Sequence, residues 1–347
     1  MNILAVGDIF IPPEAIADAC DTLREFEPSV EQIFWGPEDE IEQQKNNLLV
    51  ELNGPVALPV PEEVAARLAE VDALLVHRCP ISEDLLNSGP KLKIVGVCRG
   101  GHENIDVEAA TRLGIRAFHI LGRNAEAVSD FTVGLILCES RNIARSHHDI
   151  LQNKWEKVYS NSAHIPEMKG STVGLVGLGE VGRRVACKLN GFQARIIVYD
   201  PFVAVEAIRD AGAEPAELDE LFRNSDFISV HARLQEGTEK LIGKDQISLM
   251  KPTAYFINTA RAGLVEEQAL LDALETKSIA GAALDVFWEE PLSPDSPWLK
   301  LGNVTLAAHL AGATYDALAS SPHLLVDQVA QYLKTGQAPG LLNPTES

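Results

Sequence analysis

Short apolar runs alternate with stretches of helical periodicity along most of the chain. Asn2–Val6, Ala73–Val76, Leu92–Val97 and Ile115–Phe118 are too short for helices and rich in Val, Leu and Ile, so they read as buried strands. Between them, Pro12–Glu25, Glu38–Leu52, Glu62–Ala69, Ser82–Asn87 and Asp106–Leu113 read as helices. The rest of 30–60, acidic and broken by Gly36-Pro37 and Gly54-Pro55, reads as loop. Residues 124–153 form one long helical stretch, apolar at Val128, Phe131, Leu135 and Leu137. A second series of strands follows: Thr172–Val176, Arg195–Tyr199, Phe227–Val230, Ala254–Asn258, Gly281–Asp285 and Thr305–Ala307. Helices separate these strands, and a last one runs from Ala313 to Thr335. Such alternation predicts an α/β protein with parallel sheets.

The most informative stretch is 171–200. A strand ending at Val176 runs straight into Gly177-Leu178-Gly179-Glu180-Val181-Gly182, then a helix, then a strand ending at Asp200. That is the order a dinucleotide-binding turn requires. Gly177 permits the sharp turn, Gly179 lets backbone approach a pyrophosphate, and Gly182 lets helix and strand pack closely. The helix start, near Glu180 and Val181, attracts phosphate through its free N–H groups and dipole. Asp200 stands where a carboxylate accepts from the adenosine ribose and repels a 2′-phosphate, which favours NAD over NADP.

Composition changes this picture only at its margins. A length of 347 residues suggests two domains. Lys plus Arg number 29 against 50 Asp plus Glu, a net charge of −21, which argues against nucleic acid and anionic membranes as partners. An anionic ligand would then need a local positive pocket. The five cysteines include no CxxC pair, which points to a reducing, cytoplasmic setting without a zinc site. No metal ligand set is predicted. Cys98 adjoins a candidate site but reads as buried filler.

Downstream of the glycine turn come, in order, VYDPF, DFISVHARL, MKPTAYFINTARAGLVEEQALLDAL, IAGAALDVFWEEPL and AAHLAGAT. With GLVGLGEVGRR, they make the chain from Val173 to Thr314 resemble the D-isomer-specific 2-hydroxyacid dehydrogenase family, nearest its phosphoglycerate-dehydrogenase-like branch. KLKIVGVCRGGHENIDVEAATRLGI and NAEAVSDFTVGLIL carry the resemblance more weakly. It implies two Rossmann-like doubly wound domains. An NAD domain, 122–319, is inserted into a flavodoxin-like substrate domain formed by 1–121 and 320–347. The family is usually a homodimer joined through its NAD domains.

The resemblance also assigns roles. Arg261, Glu290 and His309 match the catalytic residues. Reduction of a 2-keto acid needs a hydride on carbon and a proton on oxygen, and an imidazole titrating near neutrality suits the second task. Glu290 would orient the ring and favour its charged form, while Arg261 would grip carboxylate and carbonyl with its planar fork. Cofactor contacts are implied at Thr132, Gly177, Gly179, Glu180, Val181, Gly182, Asp200, His231, Ala232, Thr259, Arg261, Asp285 and His309. The family's substrate loop would place the N–H groups of Gly100 and Gly101 on the substrate carboxylate.

Departures from the family pattern are Ala262, Arg233 and Ala307-Ala308, where glycine, proline and Thr-Pro are usual. Arg99, where glycine is common, and Arg78 suggest a substrate carrying a second anionic or polyhydroxyl group; the bland alternative pairs them with carboxylates such as Glu103. Formate and phosphite dehydrogenases are disfavoured, since Glu290 and Gly100 stand where those enzymes use glutamine and lysine. The competing functional reading is a non-catalytic NAD(H)-binding regulator of the corepressor type, a branch that keeps the same three residues.

Overall fold

The computed structural model describes residues 1–344; residues 345–347, the end of the predicted segment 320–347, lie outside it. The chain divides into two compact units. One comprises Met1–Asn124 together with the chain from Thr314 onward, and the other is Ala125–Ala313.

The first unit holds strands β1 (Asn2–Gly7), β2 (Ser29–Phe34), β3 (Ala73–Val76), β4 (Ile94–Val97) and β5 (Arg116–Phe118). They form one sheet in the order β2-β1-β3-β4-β5, every pair parallel. That order is the flavodoxin-like one. Both faces are covered, so alternate residues of each strand enter different cores. Leu4, Val6, Leu74, Val76, Val95 and Val97 pack on one side; Ile3, Ala5, Ala73, Leu75 and Ile94 pack on the other. The last helix, Tyr315–Thr335, closes the second of these cores through Leu325, Val326 and Val329.

The second unit holds β6 (Thr172–Val176), β7 (Arg195–Tyr199), β8 (Glu214–Pro215), β9 (Phe227–Val230), β10 (Tyr255–Asn258), β11 (Gly281–Leu284) and β12 (Val304–Leu306). Their order is β12-β11-β10-β9-β6-β7-β8, again all parallel. This is the Rossmann order with one further strand. The order reverses between β6 and β9, and ligands of such sheets bind beyond the strand ends at that point.

Three expectations from the pattern need correction. Residues 29–34, expected to be loop, form β2. It is an edge strand in which only Ile33 is buried, so no apolar run announces it. The two-residue strand β8, at the opposite edge of the other sheet, was likewise not foreseen. The stretch 124–153 is not one helix but two, Ala125–Ser140 and Ile143–Leu151. Asn142 breaks it with a left-handed backbone (φ 57°), and its side chain donates to Asn161 and accepts from Arg145.

Among the described residues no helix is long and apolar enough to cross a membrane, and no cluster of His, Cys, Asp or Glu could hold a metal ion. Cys98 is buried, and burial pushes its thiol pKa up.

A buried pair joins β1 to β3 just past their ends. His77 Nδ1 lies 2.8 and 2.9 Å from the two oxygens of Asp8, one of which also accepts the N–H groups of Phe10 and Ile11. Burial works against ionisation of Asp8, but the His77 and backbone hydrogen bonds outweigh it and lower its pKa. Burial pushes His77 down to about 4; Asp8 opposes that shift, while Arg78 and Arg123 add to it. The folded protein thus holds a neutral imidazole that the unfolded chain protonates below its ordinary 6.5. Both shifts are downward, so the pair stabilises fully above pH 6.5 and progressively less as pH falls toward 4. The urea midpoint of the wild type should drop across this window. His77→Gln should be less stable at neutral pH yet lose less on acidification; equal slopes in the two proteins would place the acid sensitivity elsewhere.

Candidate active site

The site grows from the turn after β6. Gly177 has φ 103°, and a Cβ there would come within 2.9 Å of the His231 and Ala232 backbone, so only glycine fits. A Cβ on Gly182 would strike the Gly177 carbonyl, so helix and turn are in direct contact. Gly179 is different: a Cβ there would meet nothing within 4 Å. Its freedom is not needed for packing inside the chain, and it leaves the turn bare for an approaching ligand. Helix Glu180–Gly191 starts here, and its first N–H groups have no side-chain cap. Glu180 turns away to pair with Arg184 at 2.8 Å, and Val181 packs against the core. An uncapped helix start beneath an open glycine fits a pyrophosphate.

Asp200 ends β7. Its two oxygens accept the N–H groups of Leu178 at 2.8 Å and Phe202 at 3.0 Å. The carboxylate thus fixes the glycine turn and retains lone pairs for a ribose hydroxyl. At the end of β9, His231 Nε2 pairs with the Ser229 hydroxyl at 2.9 Å, and its buried Nδ1 has no partner among the described residues. Burial pushes this imidazole down to about 3, so it is neutral. Ala232 follows it beside Gly177.

After β10, the buried hydroxyls of Thr259 and Thr132 lie 2.8 Å apart. Thr132 donates its only proton to the Val128 carbonyl at 2.7 Å, so Thr259 donates to Thr132. Thr132 is therefore a fixed acceptor inside the fold, placed by helix Ala125–Ser140. Arg261 follows in extended conformation and is exposed. Its backbone is set by Asn258, whose side chain donates to the Arg261 carbonyl and accepts from Ala260. Arg261 Nη1 donates to the Ala260 carbonyl at 2.8 Å, leaving the rest of its fork open.

His309 Nδ1 and Glu290 Oε2 are 2.8 Å apart, and the other Glu290 oxygen accepts the Phe287 N–H at 2.9 Å. With Nδ1 engaged, Nε2 is the nitrogen left to face solvent on an exposed ring. His309 has φ 54°, a left-handed conformation that a non-glycine residue keeps only when its surroundings enforce it. Asp285, fully buried after β11, supplies that enforcement: its oxygens accept the N–H groups of Leu310 at 2.8 Å and Ala311 at 2.9 Å. Burial pushes the Asp285 carboxyl up, and these two bonds act against the shift. The motif alone gave Asp285 a cofactor contact and gave no hint of its hold on the His309 segment. An aspartate closing a buried strand, with no cation beside it in sequence, was the available signal.

The expected substrate residues lie in the first unit. Arg78 follows β3; Arg99, Gly100 and Gly101 follow β4. Arg99 pairs with Glu51 at 2.6 Å and Glu103 at 3.5 Å, and Arg78 pairs with the same Glu51 oxygen at 2.7 Å. The pairing with Glu103 was foreseen as the alternative; Glu51, from the uninformative segment 30–60, was not. The Gly100 carbonyl is 2.6 Å from His119 Nδ1, and a Cβ on Gly101 would strike the Glu103 carboxylate.

The sequence model described as "D-isomer specific 2-hydroxyacid dehydrogenase, NAD binding domain" matches residues 133–311. The chain belongs to that family. A glyoxylate reductase of Thermofilum pendens is 38% identical over 292 residues, 82% of this chain and 85% of the relative. A D-3-phosphoglycerate dehydrogenase of Methanocaldococcus jannaschii is 34% identical over 284 residues, 81% of this chain but 53% of the relative, so the chain spans about half of that protein. The NAD-complexed D-isomer specific 2-hydroxyacid dehydrogenase of Lactobacillus delbrueckii ssp. bulgaricus matches at TM-score 0.76, covering 99% of this chain and 100% of that one. At 19% identity this last likeness is one of fold. The protein is thus an oxidoreductase of the 2-hydroxyacid dehydrogenase family, as its motifs suggested.

Asparagine at 285 keeps the shape of aspartate but offers one acceptor oxygen to two N–H groups. One donor left unpaired in this buried place costs about 1–3 kcal/mol. Asp285→Asn should therefore speed amide exchange at Leu310 and Ala311 and lower kcat by about tenfold or more. Unchanged exchange at both amides would show that the left-handed His309 is held by something else.

Proposed function

We propose that this dehydrogenase interconverts a D-2-hydroxy acid and its 2-keto acid with NAD, using His309 as acid and base, Glu290 to orient it, and Arg261 to bind carboxylate and carbonyl. The observation that carries the reading is the 2.8 Å His309–Glu290 pair, which commits Nδ1 and leaves Nε2 on an exposed face. The nicotinamide, when bound, supplies or takes the hydride. The rest is work for side chains. In reduction, Nε2–H of a charged His309 donates to the keto oxygen and the neutral ring remains paired to Glu290. Arg261, whose fork is mostly open, neutralises the carboxylate and draws charge onto the carbonyl oxygen.

NAD is the proposed cofactor because Asp200 sets its carboxyl group at the end of β7, where a 2′-phosphate would lie. Thr132, Gly177, Gly179, Gly182, His231, Ala232 and Thr259 would line its site. A homodimer is proposed for the second unit, whose helix Ile143–Leu151 buries none of its residues and whose Ile150, Leu151, Trp155 and Val158 are exposed. Substrate candidates come from the relatives named for glyoxylate and 3-phosphoglycerate.

NADH oxidation against a panel of 2-keto acids, from glyoxylate to longer and phosphorylated ones, tests this reading. Turnover should fall by about 10²–10⁴-fold in His309→Gln, the usual worth of a positioned acid or base. NADH bound tightly but oxidised by no acid would favour the regulator. Asp200→Ser should raise kcat/KM for NADPH relative to NADH; an unchanged ratio would remove Asp200 from cofactor choice.

A further inference from the structure

Three arginines stand past the ends of three neighbouring strands in the first unit: Arg78 after β3, Arg99 after β4 and Arg123 after β5. The chemistry proposed above uses none of them. Arg99 is 7% exposed, and its Nη1 is buried without a partner. Arg78 Nε is also buried and unpartnered. Arg123 has only a 3.4 Å bond to the Cys98 carbonyl and makes no ion pair among the described residues. Burial, reinforced by Arg78 and Arg99, pushes Arg123 down to about 10. Burial and then Arg78 also lower Arg99.

Among the described residues two carboxylates face these three cations, and one of them is shared. A single Glu51 oxygen holds both Arg78 and Arg99. Glu103 touches Arg99 at 3.5 Å. Among the described residues the cluster therefore keeps one more positive charge than negative, and two buried guanidinium nitrogens without a partner. Buried guanidinium atoms left this way are costly unless an anion meets them. Planar forks with free N–H groups are suited to carboxylate or phosphate oxygens. The shared carboxylate sits on a sparsely buried helix. Glu51 lies near the end of helix Glu40–Asn53, which buries only Gln43 and Val50 and leaves Ile41, Leu48, Leu49 and Leu52 exposed. Against a chain of net charge −21, a cationic cluster held by a lightly anchored glutamate is an exception that needs a reason.

We propose that Arg78, Arg99 and Arg123 form a binding site in the first unit for the carboxylate or phosphate group of an anionic ligand, and that Glu51 is a built-in carboxylate which this group displaces. The inference rests on the dehydrogenase reading for what the ligand is, but the anion site itself does not.

The decisive variant is Glu51→Gln, a half-exposed position where the two readings have opposite signs. If Glu51 is a displaceable occupant, its loss should tighten anion binding severalfold. If it is the permanent partner of the arginines, its loss should weaken binding or leave it unchanged and lower thermal stability, and the proposal falls. Binding is measured directly by calorimetry with inorganic phosphate and with succinate at fixed ionic strength, which separates a phosphate ester from a carboxylate as the preferred group. Arg99→Gln and Arg123→Gln should weaken the better anion by about tenfold or more. In turnover, the readout is the ratio of kcat/KM for 3-phosphohydroxypyruvate or 2-oxoglutarate over glyoxylate. The ratio should rise in Glu51→Gln and fall at least about tenfold in the two arginine variants. Unaltered ratios with unaltered anion binding overturn the subsite while leaving the dehydrogenase intact. Anion binding that follows the predicted signs, with no acid turned over, overturns the reaction while leaving the subsite intact.

Discussion

Every strand in both sheets runs parallel to its neighbours, and that single constraint places the chemistry. Parallel strands cannot be joined by tight hairpins, so each chain reversal crosses a face and every strand empties onto one edge of its sheet. In the second unit that edge collects Gly177, Asp200, His231, Thr259, Asp285 and, a few residues past β12, His309. In the first it collects Asp8, His77, Arg78, Arg99 and Arg123. Apart from the neighbours His77 and Arg78, the members of each set come from separate stretches of the chain; the shared strand direction gathers them.

A recurring device then turns a strand end into a rigid mount. Asp8, Asp200 and Asp285 each stand just beyond a strand, and each accepts two backbone N–H groups from the next few residues or from a neighbouring loop. A carboxylate has lone pairs enough to serve two amides and still face a third group. Asp8 spends the remainder on His77. Asp200 keeps a remainder at the glycine turn. Asp285 has the strictest task, because the loop it ties down includes a non-glycine residue in left-handed conformation. Strain of that kind, of order 1–3 kcal/mol, persists only where surrounding bonds over-determine it. The geometry of His309 is thus set from both sides: Glu290 fixes the ring, and Asp285 fixes the backbone that carries it.

Much of this was legible in the sequence, for identifiable reasons. Strands buried on both faces read as apolar runs, which is why β3, β6, β7 and β9 fall where the pattern put them. Edge strands have no such signature; β2 buries one side chain and β8 none. The break at Asn142 was invisible because both flanking segments keep helical patterning, and the left-handed turn between them is held by side-chain bonds to Asn161 and Arg145. At the site, motif spacing pointed to Glu290 and His309, which the fold brings to 2.8 Å. It was silent about Asp285 as a backbone clamp and about Glu51 as a counter-ion, since neither role has a local pattern. Both depend on contacts across at least 25 residues of chain.

The charge balance ties these strands of argument together. A chain of net charge −21 repels the very acids on which its family acts, unless fixed cations offset the field locally. In the second unit the arginine proposed for that task is Arg261, which is exposed, has its backbone pinned by Asn258 and keeps its fork largely unspent. In the first unit the cations proposed for it are Arg99, which is buried, and the half-buried Arg78 and Arg123, and burial changes the physics. An exposed guanidinium is screened and shares its charge with water, whereas a desolvated one acts through a medium of lower dielectric and attracts an oxyanion more strongly. The same low dielectric makes the arginines repel each other, and Glu51 and Glu103 lie against Arg99 to offset this. An acidic protein that gathers cations at one strand edge needs carboxylates against them, and one of these, Glu51, comes from helix Glu40–Asn53, which buries only Gln43 and Val50. The proposed displacement of Glu51 would give a physical purpose to the one region the sequence motifs left unexplained.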